Sequence, residues 1–381
     1  MIYLDYAATT PIAEEVIETI NQSLQADFGN PSSIYRIGKH AKFLLEQARR
    51  QMAELMGIQS KDLYFTSGAT EANNWAIRSQ AYQARDNGLG NHLVASDIEH
   101  PSVKEVLVSL ESEGFQVTYL RPNLKGQYLA SDFLEASNEE TIGWIMMAVN
   151  NEVGSILPVQ ELGKLAQEND YFFHVDTVQA MGLELENPGQ LLATSWVGSA
   201  HKMSGPKGIG FLVYRPWKAN QAIHPLIFGG GQESGKRSGT ENLAYIQGMV
   251  KAYQLAKEHQ TSNQKMMEEL SAYFYDLLDQ AVIDYEINGD PNNKVANIHN
   301  LYFPGHKASQ LLIRLDLADI YVSAGSACSA GSLTPSRILQ AYYPDQADRW
   351  QESLRLSFGP HTQFEELDQF VDTLEKILKE K

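Results

Sequence analysis

Cys328 is the one cysteine of this 381-residue chain, and it lies in Ser323-Ala324-Gly325-Ser326-Ala327-Cys328-Ser329-Ala330-Gly331-Ser332. Gly, Ala and Ser bury little side-chain surface, so the segment reads as a mobile, solvent-accessible loop. A structural cysteine normally serves as a small hydrophobe inside a core, but Cys328 has no apolar run around it. On the loop alone, a nucleophilic thiol carried on an arm and an incidental exposed cysteine are both open.

Three other segments carry complementary chemistry. In Ser199-Ala200-His201-Lys202-Met203-Ser204-Gly205-Pro206, Lys202 follows an apolar strand and precedes a Gly-Pro turn. A lysine anchored and partly desolvated there can form an imine with an aldehyde. Taken alone it also reads as a surface lysine in a turn. Ser199 and His201 flank it as donors to a phosphate. In His174-Val175-Asp176-Thr177-Val178-Gln179, Asp176 lies at a strand's carboxyl end, where open α/β sheets bind ligands. A carboxylate there can hold a pyridinium nitrogen protonated, and Gln179 can reach a ring hydroxyl. His174 and Asp176 are read as facing opposite sides of their strand, which sets aside a shared metal. Thr66-Ser67-Gly68-Ala69-Thr70-Glu71-Ala72-Asn73-Asn74 follows a strand and opens a helix. Its backbone N–H groups and the Thr70 hydroxyl make an anion site; the alternative is a plain helix start capped by Thr70 or Ser67.

An imine lysine, a pyridinium partner and a phosphate cradle match pyridoxal phosphate (PLP) better than a nucleotide. No glycine loop ending in Lys-Ser or Lys-Thr is present, and no Gly-x-Gly-x-x-Gly follows a strand.

The elements that must position these residues follow from short apolar runs alternating with helical patterns. Strands are expected at Leu63–Thr66, His92–Ser96, 115–120, 143–149, 171–175, 196–199 and 209–214. Helices are expected at 70–84, after Pro101 and at 160–167. This repetition predicts an α/β fold with a mostly parallel sheet covered on both faces. After about residue 260 the pattern changes to a helix at 266–278, an alternating strand at 295–303, a helix at 307–315, the cysteine loop, a strand at Ser353–Ser357 and a helix at 365–378. The expected division is a large domain at 15–260 and a smaller α+β domain of 1–14 and 261–381 that carries Cys328.

A hydrophobic fraction of 43% suffices for a core this size, and the net charge of −17 argues against direct nucleic-acid binding. No apolar run approaches a membrane span and no secretory signal is visible. With a single cysteine, a reducing, cytoplasmic location is expected.

Across its whole length the chain resembles the cysteine desulfurases, in the class-V aminotransferase group of the fold-type I PLP enzymes. The resemblance rests on Leu4-Asp5-Tyr6-Ala7-Ala8-Thr9-Thr10-Pro11, Phe28-Gly29-Asn30-Pro31-Ser32-Ser33, Ser67-Gly68-Ala69-Thr70-Glu71, Glu99-His100, Asn150-Asn151-Glu152-Val153-Gly154, His174-Val175-Asp176, Ser199-Ala200-His201-Lys202, Arg237-Ser238-Gly239-Thr240-Glu241-Asn242, Gly325-Ser326-Ala327-Cys328 and Arg355-Leu356-Ser357-Phe358-Gly359. The residues around Cys328 are similar to the subgroup with the longer cysteine loop.

The resemblance implies a seven-stranded, mostly parallel sheet between helices, with a smaller α+β domain. It implies that Lys202 binds PLP covalently and shuttles protons, and that His100 stacks on the ring as acid and base. Asp176 pairs with the pyridine nitrogen and Gln179 with the ring oxygen. Ala69, Thr70, Ser199 and His201 hold the phosphate, joined by Thr240 from a neighbouring subunit of a homodimer. Asn151 and Arg355 hold cofactor or substrate groups, Arg355 through the carboxylate of L-cysteine. Cys328 takes the sulfur as a persulfide, L-alanine leaves, and the sulfur passes to an acceptor protein, an iron–sulfur scaffold or a tRNA-thiolation enzyme. No metal is implied. Tyr35 departs from the pattern, standing where many relatives carry His. The rival readings are a selenocysteine lyase or another class-V enzyme, and a non-catalytic sulfur-carrier scaffold. A scaffold has no reason to keep Lys202, Asp176, Gln179 and His100 together.

Overall fold

The structure is a computed structural model that describes residues 1–218, 222–325 and 335–380. Cys328, and with it the expected mobile loop, lies outside the described residues. In chain order the strands are β1 (Ile2–Tyr3), β2 (Leu63–Thr66), β3 (His92–Ser96), β4 (Gln116–Leu120), β5 (Thr141–Met147), β6 (Phe172–Asp176), β7 (Ser195–Ser199), β8 (Gly210–Tyr214), β9 (Glu286–Ile287), β10 (Ile298–Tyr302), β11 (Ile320–Tyr321) and β12 (Ser353–Ser357).

A seven-stranded sheet has the order β2-β8-β7-β6-β5-β3-β4. From β7 to β4 every neighbouring pair is parallel, and β8 runs antiparallel to both β7 and β2. Every residue of β3, β5, β6, β7 and β8 is buried. Helices cover both faces of such a sheet, which is why these strands read as continuous apolar runs without alternation. Strand β4 lies at the edge and is partly exposed.

Three helices absent from the sequence reading pack together. They are Glu14–Ala26, Arg36–Met56 and Leu243–Glu258. Small residues mark much of the buried side of Arg36–Met56, including Gly38, Ala41 and Ala48 beside Leu45 and Met52. Such a stripe gives a weak apolar signal although its spacing is helical. The helix ends at Gly57 in the left-handed region (φ 70°), and the N–H groups of Gly57 and Ile58 fold back onto the carbonyls of Glu54 and Ala53.

A separate apolar cluster gathers Leu4, Phe274, Leu301, Phe303, Leu356, Phe358 and Phe370. Here β12-β10-β9 form an antiparallel sheet, and β1 pairs in parallel with β11. The first residues are thus stitched into the same layer as the carboxyl-terminal ones, and Asp5 also bridges to Ser357.

Candidate active site

Parallel strands β6 and β7 end side by side, with Asp176 the last residue of one and Ser199 the last of the other. A single 3-10 turn, Ala200–Lys202, then brings Lys202 back over the strand ends. The helix Ala69–Asp86 starts just after β2, and His100 caps the helix Pro101–Ser112 just beyond β3. Together they enclose a cleft of about 460 Å³. Ala69, Thr70, His100, Asn151, Asp176, Gln179, Ser199, His201, Lys202 and Arg355 all line it. Thr240 is exposed and is not among the lining residues.

The Lys202 amine donates to the carbonyls of Ala7 and Ala8, the latter at 2.9 Å. Gln179 Nε2 donates to the Ala7 carbonyl at 2.9 Å. The amino-terminal segment thereby orients two of the site's side chains. Asp176 is buried, and both of its oxygens accept hydrogen bonds, from Val178 N–H at 3.0 Å and Asn73 Nδ2 at 2.9 Å.

His100 Nδ1 accepts from the Ser102 N–H at 3.1 Å and lies 2.8 Å from the Ser102 hydroxyl. Burial pushes its pKa below the usual histidine value; Lys202 and Arg337 add to this and Asp176 opposes it. His201 is pushed down to about 4 by burial, with Lys202, Lys207 and His100 contributing.

The first hydrogen bond of the helix Ala69–Asp86 runs from Ala72 N–H to Gly68 C=O. The N–H groups of Ala69 and Thr70 precede it and have no acceptor within the helix. This loop rests closely on β8, since a Cβ at Gly210 would stand 2.7 Å from Gly68 Cα and 2.6 Å from the Gly198 carbonyl. Glu71 Oε2 accepts the Ser67 N–H at 2.9 Å, and Arg237 clasps the same carboxylate at 2.7 and 3.0 Å. Burial raises the Glu71 pKa, but Arg237 and Ser67 outweigh it and the net shift is downward.

Arg355 is buried, with NH1 donating to the Asn151 carbonyl at 2.9 Å and NH2 to Asp5 at 2.7 Å. Its Nε is buried without a partner among the described residues. Backbone bonds at 3.0 and 2.7 Å join Arg355 to Ser323. Ser336 donates its hydroxyl to the buried carboxyl of Glu152, next to Asn151. The chain flanking the cysteine segment is therefore fastened on both sides beside Asn151 and Arg355.

Two expectations are corrected. His174 and Asp176 share one face of β6, because residues two apart along a strand point the same way. Both bond the same side chain, Asn73, His174 Nε2 at 2.9 Å from its Oδ1. Among the described residues no group of His, Cys, Asp and Glu has metal-binding geometry. Neither Thr70 nor Ser67 caps the helix: the N-cap is Gly68, with no side-chain bond. Arg355 lines the cleft as expected for a carboxylate partner, and its ion pair with Asp5 fixes the guanidinium. The sequence reading gave no role to Asp5, Asn73 or Ser102. An asparagine in a helix interior, unfavourable there unless its amide is used, was the available signal for Asn73.

The residues fit PLP. Unpaired helix N–H groups beside two hydroxyls and an imidazole suit a phosphate, a buried carboxylate suits a pyridinium, and the orphaned Arg355 Nε suits a carboxylate.

The aminotransferase class-V family model matches residues 2–370. A cysteine desulfurase IscS of Dictyoglomus turgidum is 40% identical over 378 residues, covering 99% of this chain and 94% of that protein. One of Methanosarcina thermophila is 38% identical, covering 99% and 92%. Among solved structures, a NifS-like protein matches with a TM-score of 0.90 at 30% identity, over 99% of both chains. An SspA in complex with cysteine matches with a TM-score of 0.81 at 32% identity, over 95% of this chain and 100% of that one. A match over nearly the whole length, with the site residues gathered at the strand ends, places this chain in the class-V aminotransferase family.

Proposed function

We propose that this chain is a PLP-dependent cysteine desulfurase. The observation that carries the reading is the convergence of residues from 69 to 355 on one cleft, with the chain either side of the Cys328 segment fastened to its rim. PLP, when bound, supplies an electron sink that labilises the substrate's α-hydrogen and then its sulfur. Lys202 is its attachment point and proton carrier, and Asp176 holds a proton at the ring nitrogen. His100, neutral and lining the cleft, is the acid–base partner. Arg355, fixed by Asp5 and Asn151, takes the L-cysteine carboxylate.

The Cys328 thiolate attacks the substrate sulfur. An S–S bond forms, the substrate C–S bond breaks, and the carbon takes up a proton and leaves as L-alanine. The persulfide then passes to an acceptor protein of iron–sulfur assembly or tRNA thiolation, in the cytoplasm.

The working unit is a homodimer in which Thr240 reaches the partner's phosphate site. Exposed apolar side chains support this: Phe28 (76%), Ile34 (86%), Phe43 (57%) and Phe228 (83%). Pro31, Ser32, Lys42 and Glu46 line one hollow with residues 230–234, so the chain segments that carry these side chains meet beside the loop that leads to Thr240. The division into 15–260 and 1–14 with 261–381 accords with the separate apolar cluster that unites Leu4 with Phe370.

Cys328→Ser tests the reading. The variant retains PLP and binds L-cysteine, but makes little alanine and no persulfide, since a hydroxyl is a far poorer nucleophile toward sulfur. The unsubstituted chain gains the mass of one sulfur atom on its single cysteine, and reduction removes it. Undiminished alanine release by Cys328→Ser refutes the assignment.

A further inference from the structure

Behind the wall of the cleft lies a side chain with no exposed surface, Asn73. We propose that Asn73 is a positioning residue: its amide joins the Asp176 carboxylate to the Ser102 hydroxyl, and through it to the His100 ring, in one network anchored from behind by His174. What Asp176 and His100 do in catalysis rests on the desulfurase reading; the network itself does not.

The donors and acceptors leave one consistent assignment. Asp176 accepts at both oxygens, so the NH2 side of Asn73 faces it, at 2.9 Å. Asn73 Oδ1 then faces His174 Nε2 at 2.9 Å, and that nitrogen carries the ring proton. His174 Nδ1 accepts from the Ser195 hydroxyl at 2.8 Å, whose oxygen accepts Gln80 Nε2 at 2.9 Å. Flipping the Asn73 amide would set its oxygen against the Asp176 carboxylate. Burial holds His174 neutral, with its pKa pushed down to about 3.

The second Asn73 N–H donates to Ser102 Oγ at 2.9 Å. Having accepted there, the Ser102 hydroxyl donates to His100 Nδ1 at 2.8 Å, which also accepts the Ser102 N–H at 3.1 Å. Two donors on Nδ1 oppose a proton there, so His100 is neutral with its hydrogen on Nε2. The charged groups around the ring are Asp176 on β6, Lys202 in the turn after β7 and Arg337 after the cysteine segment. Asn73 thus aims the carboxylate and sets the tautomer of the imidazole together, without touching the cleft. Aspartate there would change the network, because a second carboxylate 2.9 Å from Asp176 would force a shared proton.

The test uses the full chain labelled with 15N-histidine, first without cofactor, with the His100 signal identified by its loss in His100→Gln. Two-bond 1H–15N spectra are expected to show His174 and His100 as Nε2–H tautomers at neutral pH. In Asn73→Ala the His100 titration midpoint rises by about one pH unit, because the donors on Nδ1 lose their support. Ser102→Ala, which removes the buried hydroxyl between Asn73 and His100 and spares the Asp176 contact, moves the midpoint the same way, and decides the matter should Asn73→Ala not fold. With PLP and L-cysteine, both variants form alanine about tenfold more slowly with KM little changed. A His174 Nδ1–H tautomer, or a His100 midpoint unmoved in the folded variants, overturns the proposal. Failure of the loaded, unsubstituted chain to form alanine refutes the desulfurase reading instead, and the cofactor-free spectra still decide the network.

Discussion

At the scale of residues, the site combines groups whose ordinary ionisation is shifted by burial in opposite directions. His174 is pushed down to about 3, so the stability it contributes is present above its unfolded value of 6.5 and is lost as pH falls. Glu99, next to His100, is pushed up to about 7 by burial, with Asp176 adding to this while Ser96, the Met147 N–H and Arg337 oppose it. One of its oxygens is buried without a partner among the described residues. Its folded value lies above the unfolded 4.5, so its contribution is complete below pH 4.5 and fades as pH rises through about 7. Glu99→Gln keeps the shape and removes the ionisation. Urea unfolding of the cofactor-free chain at pH 5 and pH 8 is expected to show the variant gaining on the parent at the higher pH, by about 3 kcal/mol at most. Because His174 is common to both proteins, its opposing slope cancels in the comparison. An equal difference at both pH values means that Glu99 ionises normally.

At the scale of elements, the cleft depends on how closely the loop after β2 lies on β8. All four residues of β2 pair with β8, and contact is possible because Gly68 meets Gly210 without a side chain between them. Gly210→Ala has no room for its methyl group against the backbone of Gly68 and Gly198. The start of the helix Ala69–Asp86 must move outward, at a cost of about 1–3 kcal/mol. PLP affinity, followed by fluorescence quenching, is expected to fall at least tenfold with a lowered Tm. Unchanged affinity would show that the cradle tolerates displacement. Arg237 holds the same element from the other side through Glu71, which ties the loop leading to Thr240 to the cradle within one chain.

At the scale of the whole molecule, the proposed cross-subunit role of Thr240 makes a prediction that single-chain variants cannot. A mixed dimer of Thr240→Ala and Lys202→Ala chains places both defects in one site and none in the other. About half the parent's activity is expected. If Thr240 served its own chain, each site would carry one defect and activity would fall far below half. Sedimentation of Phe228→Glu tests the interface itself: its 83% exposure in the single chain becomes buried in the proposed dimer, and the charge should shift the equilibrium toward monomer.

Most of the frame, and the segments that the fold gathers at the cleft, were legible in the sequence alone. Lys202, Asp176 and the 66–74 segment each follow an apolar run, and burial on both faces makes such runs legible without knowledge of their neighbours. The helices Glu14–Ala26, Arg36–Met56 and Leu243–Glu258 were less legible because they pack largely on one another, and small residues fill much of the contact. The tertiary structure alone decided which residues stand behind the site. Asp5 meets Arg355 across 350 positions and Asn73 meets Asp176 across 103, separations over which local pattern carries no information. His174 and Asp176, two residues apart on β6, share one face by the strand period, but that both meet Asn73 there is decided by the tertiary structure. Proton positions belong to the same class: burial and hydrogen-bond partners set them, and both exist only after the chain has folded.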